Sequence, residues 1–109
     1  MSKTHKLKWT TNAKDDLLNI VGYIKKDSPR NANEIYLKIR TKAKSSNFFP
    51  LKGRVVPELQ KEGITLYREV ITSPWRIIYK IGNDTVFIMA ILDSRQNVED
   101  ILLQKLLKG

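Results

Sequence analysis

The chain has no cysteine and a single histidine, His5. Disulfides and thiolate metal ligands are thereby excluded, and a histidine-based metal site is not expected. No nucleophile elbow, P-loop or dinucleotide-binding glycine pattern is present, so neither a metal nor a cofactor is anticipated. Long apolar runs are missing too: nothing approaches the roughly 18 residues needed to cross a bilayer. The opening MSKTHKLKWTTNAK is basic but has no apolar centre of the kind a secretory signal needs. These absences predict a cytoplasmic protein that does not engage a membrane. Acidic residues are the last shortage, 11 against 20 lysines and arginines, for a formal charge of +9 over 109 residues. Such a charge speeds association with nucleic acid or acidic proteins but says nothing about fold.

What is present is enough apolar residue, 41% of the chain, for one core, and the expectation is a single domain spanning 1–109. Leu7 and Trp9 alternate with Lys6, Lys8 and Thr10, the pattern of a short strand with one buried face. From Thr11 the period changes. Leu17, Leu18, Ile20, Val21 and Ile24 recur at helical spacing, with Thr11 or Asn12 as cap and Asp15 and Asp16 in the first turn. Ser28 caps a second helix with Pro29 at its first position; Ala32, Ile35, Tyr36, Ile39 and Ala43 form its apolar stripe. The short link between the two helices predicts an antiparallel hairpin. Lys38, Arg40, Lys42 and Lys44 crowd the end of the second, where the helix dipole favours cations.

FFPLKGRVVPELQKEG holds two prolines and two glycines in 16 residues and reads as a long irregular connection. ITLYREVIT, WRIIYKI and TVFIMAIL follow as strands, the last two joined by Gly82-Asn83-Asp84, a hairpin turn in which glycine and asparagine tolerate positive φ. In QNVEDILLQKLLKG, Asn97 caps a short helix whose Ile101, Leu102, Leu103, Leu106 and Leu107 must bury against the sheet or another protein. The order β-α-α-β-β-β-α predicts an α+β fold, a helical hairpin on one face of a four-stranded, mostly antiparallel sheet.

Candidate functional residues are the cations on or beside that sheet: Lys52, Arg54, Arg68, Arg76, Lys80 and Arg95. Alternation along WRIIYKI turns Trp75, Ile77, Tyr79 and Ile81 to the helix-covered face. Arg76 and Lys80 then project from the open face, about 14 Å apart, as a platform for an extended anion. Arg95 stands where the last strand ends, a common position for functional groups, with Asp93 available as an ion-pair partner. Lys52 and Arg54 lie in the glycine- and proline-rich connection.

AKDDLLNIVGYI, FPLKGRVVPEL and LYREVITSPWRIIYKIGNDTVFIMAILDSRQN, in that order, resemble the RelE/ParE superfamily of bacterial toxins from type II toxin–antitoxin systems. The resemblance runs from about Leu7 to Leu103. It implies the fold just derived and a cognate antitoxin as partner, acidic to complement this chain. RelE-like members cut messenger RNA in the ribosome, and ParE-like members inhibit DNA gyrase. On the ribonuclease reading, Arg68, Arg76 and Arg95 surround the scissile phosphate, and Lys52, Arg54 and Lys80 bind the anionic partner or target. Many RelE-like enzymes add a tyrosine or histidine near the C-terminus; this chain has neither beyond Tyr79. The missing acid/base group and the separate two-helix hairpin favour the ParE branch. Assembly is expected as a hetero-oligomer with the antitoxin or as a homodimer through the leucines of the last helix.

Overall fold

The computed structural model describes residues 5–106. The first strand, β1 (Lys6–Trp9), leads into α1 (Thr11–Lys25) and α2 (Pro29–Ser45). A 3-10 turn at Pro50–Lys52, β2 (Arg54–Val55) and α3 (Pro57–Gln60) follow. The chain then forms β3 (Tyr67–Thr72), β4 (Trp75–Ile81), β5 (Thr85–Asp93) and α4 (Val98–Leu106). The sheet order is β1-β5-β4-β3-β2, with β1 parallel to β5 and the other pairs antiparallel.

The fold class agrees with the sequence, but the sheet has five strands where four are expected. The extra strand and α3 come from the connection read as irregular. Elements of two and four residues are too short to show a period, and both owe their form to what they pack against.

The helix starts follow their caps. Thr10, one residue before the expected cap, accepts the Ala13 N–H through Oγ1 at 3.1 Å. Ser28 accepts the Asn31 N–H at 3.2 Å, with Pro29 at the first helical position as anticipated. Asp15 and Asp16 consequently sit beyond the first turn of α1, and Asp16 is used elsewhere.

Both faces of the sheet are covered. On one, the α1–α2 hairpin packs Ala13, Leu17, Ile39 and Ala43 against Ile77, Tyr79, Val86, Ile88 and Ile91. On the other, α3 and α4 pack Val56, Leu59, Val98 and Leu102 against Tyr67, Ile78, Ala90 and Leu92. Of the α4 leucines, Leu102 is buried against the chain's own sheet and Leu103 and Leu106 are partly buried there; Leu107 lies outside the described residues. This second layer overturns the expected open face at Arg76, which is buried beneath it. The reason is that α3 comes to rest over β3 and β4, where Glu58 meets the guanidinium, a placement that its sequence does not encode.

Strand β5 serves both layers because its ladder with β4 slips between Ile88 and Ala90, leaving Met89 as the extra residue of a bulge. Val86 and Ile88 therefore share a face with Ile91 rather than with Ala90 and Leu92. The β4–β5 turn closes with the Gly82 N–H donating to the Thr85 carbonyl at 2.7 Å. The expected positive φ is not used there: Gly63, at φ 80°, is the one positive-φ residue among those described. Gly82 matters instead for space, because a Cβ would lie 3.1 Å from the Phe87 ring.

No helix among the described residues is long and apolar enough to cross a membrane.

Candidate functional surface

The six cations singled out in the sequence fall into three settings. Arg68 and Arg76 belong to the scaffold, Arg95 and Arg54 are exposed but ion-paired, and Lys52 and Lys80 lie beside aromatic rings.

Arg76 is the most tightly held. Its Nε donates to Glu69 Oε1 at 2.6 Å, and its Nη1 and Nη2 donate to the two carboxylate oxygens of Glu58 at 2.8 and 2.7 Å. Glu69, itself fully buried, also accepts from Arg54 Nε at 2.5 Å. Two carboxylates from β3 and α3 thus surround the guanidinium. The Glu58 hydrogen bonds, ahead of those from Glu69, hold Arg76 further into its charged range, and Arg76 in turn pulls the Glu58 carboxyl below its usual value. The network bonds α3 to the strands beneath it.

Arg68 is directly opposite Tyr79 in the β3–β4 ladder, which places it on the hairpin face. Its Nη1 donates to the carbonyls of Gly53 at 2.7 Å and Leu51 at 3.4 Å, fastening the connection to the sheet. Tyr79 secures the same segment from below, donating its hydroxyl to the Pro50 carbonyl at 2.5 Å. That bond makes the phenol an anchor for the connection, and burial raises its pKa. Gly53 lies between these groups because a Cβ there would overlap the Tyr79 hydroxyl and the Glu69 carbonyl.

Arg95 is exposed in the turn after β5 and pairs with Asp93, Nε to Oδ1 at 2.9 Å and Nη2 to Oδ2 at 2.6 Å. The Asp93 carboxyl is held low chiefly by that pairing. Arg68 and Arg76 therefore point to opposite faces of the sheet, and the three arginines do not converge on one point.

Two clusters place cations beside aromatic rings. Across the β1 end of the sheet, Lys8 lies directly opposite Phe87, and Phe87 directly opposite Lys80. The two lysines flank the half-buried ring at a separation of about 10 Å, twice the interstrand spacing, and Lys80 Nζ lies 5.8 Å from its centroid. At the other edge, Lys42, Phe49, Lys52 and Arg54 line a groove of about 430 Å³ beside β3, with Lys52 Nζ 5.9 Å from the Phe49 ring. Phe49 and Leu51 are 64% and 72% exposed there, which marks a contact surface rather than core. Sequence alone does not single out Lys8, Phe87 or Lys42. The first two join Lys80 only through strand register, and Lys42 reads equally well as a helix-end cation. Among the described residues no cluster of His, Cys, Asp and Glu could hold a metal.

The family model described as the ParE toxin of the type II toxin–antitoxin system parDE matches residues 7–98. Among solved structures, the chain is similar to the chromosomal ParDE toxin–antitoxin system from P. aeruginosa. The identity is 21%, with 84% of this chain and 98% of that chain covered, at a TM-score of 0.70. It is also similar to the toxin–antitoxin complex RelBE2 from Mycobacterium tuberculosis, 21% identical over 85% of this chain and 94% of that chain, at a TM-score of 0.59. No curated protein matches. The structural likenesses bear on fold; membership rests on the family match over most of the chain.

Proposed function

From the premise that this chain belongs to the ParE toxin family of type II toxin–antitoxin systems, we propose that it arrests growth by binding and inhibiting DNA gyrase, without chemistry of its own. In the cell it is held inactive by an acidic antitoxin. The observation that carries this reading is the fate of the arginines: Arg76 is neutralised between two carboxylates and Arg68 is bonded to the Gly53 carbonyl. A ribonuclease needs groups that activate the 2′-hydroxyl, stabilise charge at phosphorus and protonate the leaving oxygen around one point. Here two of the three candidate arginines, Arg68 and Arg76, are committed to holding the fold, and Tyr79 is committed to Pro50. The exposed Phe49 and Leu51 among Lys42, Lys52 and Arg54 suit recognition of a protein surface.

A DNA supercoiling assay with purified toxin tests this. Gyrase should lose activity at micromolar toxin, and Lys42→Glu with Lys52→Glu, both exposed in the groove beside β3, should restore it. Unaffected gyrase alongside growth arrest in cells would overturn the proposal.

One observation favours a second reading. Lys8, Phe87 and Lys80 form an aromatic platform with flanking cations, suited to stacking a base and holding its phosphates. On that reading the toxin is a ribosome-dependent endoribonuclease. Primer extension on translated messages would then show discrete new 5′ ends that Lys80→Ala and Arg95→Ala remove.

A further inference from the structure

The segment from Phe49 to Gly53 is fastened to the sheet by its backbone while its apolar side chains stand in water. Arg68 of β3 donates from Nη1 to the Gly53 and Leu51 carbonyls, and Tyr79 of β4 donates its hydroxyl to the Pro50 carbonyl. The Lys52 N–H closes the turn by donating to the Phe49 carbonyl at 3.0 Å. Pro50 fixes one φ angle, and Gly53 lets the backbone sit against the Tyr79 hydroxyl, where a Cβ would not fit. Phe49 and Leu51 are nonetheless exposed. Hydrocarbon left in water contributes nothing to the core, so the order imposed on this turn serves a contact outside the chain.

The surroundings of the turn define the chemistry of that contact. The groove beside β3 shares Lys42 and Ser45 with a shallower depression lined by Leu37, Lys38 and Thr41 of α2 and by Thr72. Leu37 and Ile71 are exposed as well, so aliphatic surface continues beyond the turn. The two carboxylates lining these depressions are already engaged: Glu69 by Arg54 and Arg76, and Glu34 by Arg30 at 3.9 Å. Lys38, Lys42 and Lys52 are left without a carboxylate among the described residues. Lys52 lies instead beside the Phe49 ring, where the contact leaves its charge available to a partner.

We propose that Phe49 and Leu51 are the anchors of the contact with the protein this toxin inhibits, entering an apolar pocket rimmed by carboxylates that meet Lys42 and Lys52. Arg68, by fastening the turn, is the positioning residue that presents them. This rests on the gyrase reading for the identity of the target, and names the chemistry and place of the contact. A folded protein is selected over nucleic acid, because Leu37, Leu51 and Ile71 offer no ring on which a base could stack, whereas a pocket removes them from water. A second copy of this chain is disfavoured, because it would bring two cationic surfaces together.

The test compares full-length variants for gyrase inhibition in the supercoiling assay, growth arrest on induction and thermal midpoint. Phe49→Glu and Leu51→Glu, both at exposed positions, should each raise the half-inhibitory concentration about tenfold or more, the size expected when one anchor of an interface is lost. Growth arrest should weaken with it and the midpoint should stay in place. Arg68→Met should also weaken inhibition at a temperature where it is fully folded, and Arg68→Lys, which keeps a donor for the Gly53 carbonyl, should restore most of it. Unchanged inhibition and arrest by Phe49→Glu and Leu51→Glu would overturn the contact and leave the proposed function standing; unchanged inhibition by Arg68→Met would overturn the positioning role. If the unsubstituted chain spares gyrase yet arrests growth, and these variants do not, the gyrase reading falls and the contact stands for another protein target. A chain that neither inhibits gyrase nor arrests growth overturns both. A dimer that Leu51→Glu converts to monomer in sedimentation, or a single-stranded oligonucleotide that binds the unsubstituted chain and not Leu51→Glu, would overturn the proposed occupant.

Discussion

The two faces of the sheet are held by different physics. Under the α1–α2 hairpin the strands present Ile77, Tyr79, Val86, Ile88 and Ile91 to an apolar layer, and stability there comes from removing hydrocarbon from water and packing it densely. Under α3 and α4 a comparable apolar cluster is joined by Arg76, Glu58 and Glu69. Ions out of water are costly, and their attraction offsets that cost only when every partner is in place. The hairpin layer should therefore degrade gradually as packing is lost, whereas the α3–α4 layer should be intolerant of losing a single charge. A face built the second way is specific in geometry but fragile.

The largest test of this contrast is Glu69→Ala, which leaves Arg76 and Arg54 without their shared carboxylate. Removing one member of a buried ion network costs about 3–5 kcal/mol, readable as a lower urea midpoint. Replacing Glu69 and Arg76 together with leucine and methionine should recover most of that loss, while Ile77→Ala on the other face should cost about 2–5 kcal/mol as a cavity, with no such paired rescue. Equal losses for Glu69→Ala and the double replacement would break the comparison.

Acid separates the faces next. Arg76 holds the Glu58 carboxyl below its ordinary value. Its stabilising contribution is thus complete above the unfolded-state pKa of about 4.3 and is lost as pH falls through the lower folded value. On acidification, amide protection in α3 and α4 should fall before that in α2, and Arg76→Met should abolish this order. Simultaneous loss in both layers would count against it.

A smaller effect comes from the contact that links the layers. Beyond Ile88, β5 has no partner in β1, and α1 supplies the missing bonds: Asn12 Nδ2 donates to the Met89 carbonyl at 2.9 Å, and Asp16 Oδ2 accepts the Ile91 N–H at 3.0 Å. The other oxygen of Asp16 pairs with Lys105 of α4. Asp16→Ala leaves a buried N–H unsatisfied, at about 1–3 kcal/mol, and should loosen α4 selectively in hydrogen exchange. Uniform loss of protection would show that Asp16 does not couple the layers.

Smallest of all is Arg95→Ala. The pair with Asp93 is exposed to solvent and salt, so the thermal midpoint should stay unchanged within measurement error. Any change in growth arrest would then report on function alone. A clear drop in midpoint would instead assign Arg95 to the scaffold with Arg68 and Arg76.

Much of this was readable in the chain. Ser28-Pro29 marked the start of α2, helical spacing marked the residues that α1 and α2 bury, and alternation placed Trp75, Ile77, Tyr79 and Ile81 on the hairpin face. The candidate surface was legible only as a set of cations. Arg76 and Lys80 share a strand face, as alternation requires, yet one is enclosed by α3 and the other stands beside Phe87. That difference depends on where residues 57–60 and α4 come to rest. The bulge at Met89 was hidden because an unbroken apolar run has no alternation to interrupt.

By itself the sequence determined the element types of the long segments, since period and capping act over a few neighbouring residues, and it determined the excess of positive charge. Only the tertiary structure decided which cations are spent on the fold and which stay exposed. A guanidinium and its carboxylates can come from residues 58, 69 and 76, and their pairing is an outcome of three elements meeting. The edge position of β1 was decided in the same way: Lys6–Trp9 reads as half a strand pair, and only the sheet order shows which side has no neighbouring strand among the described residues.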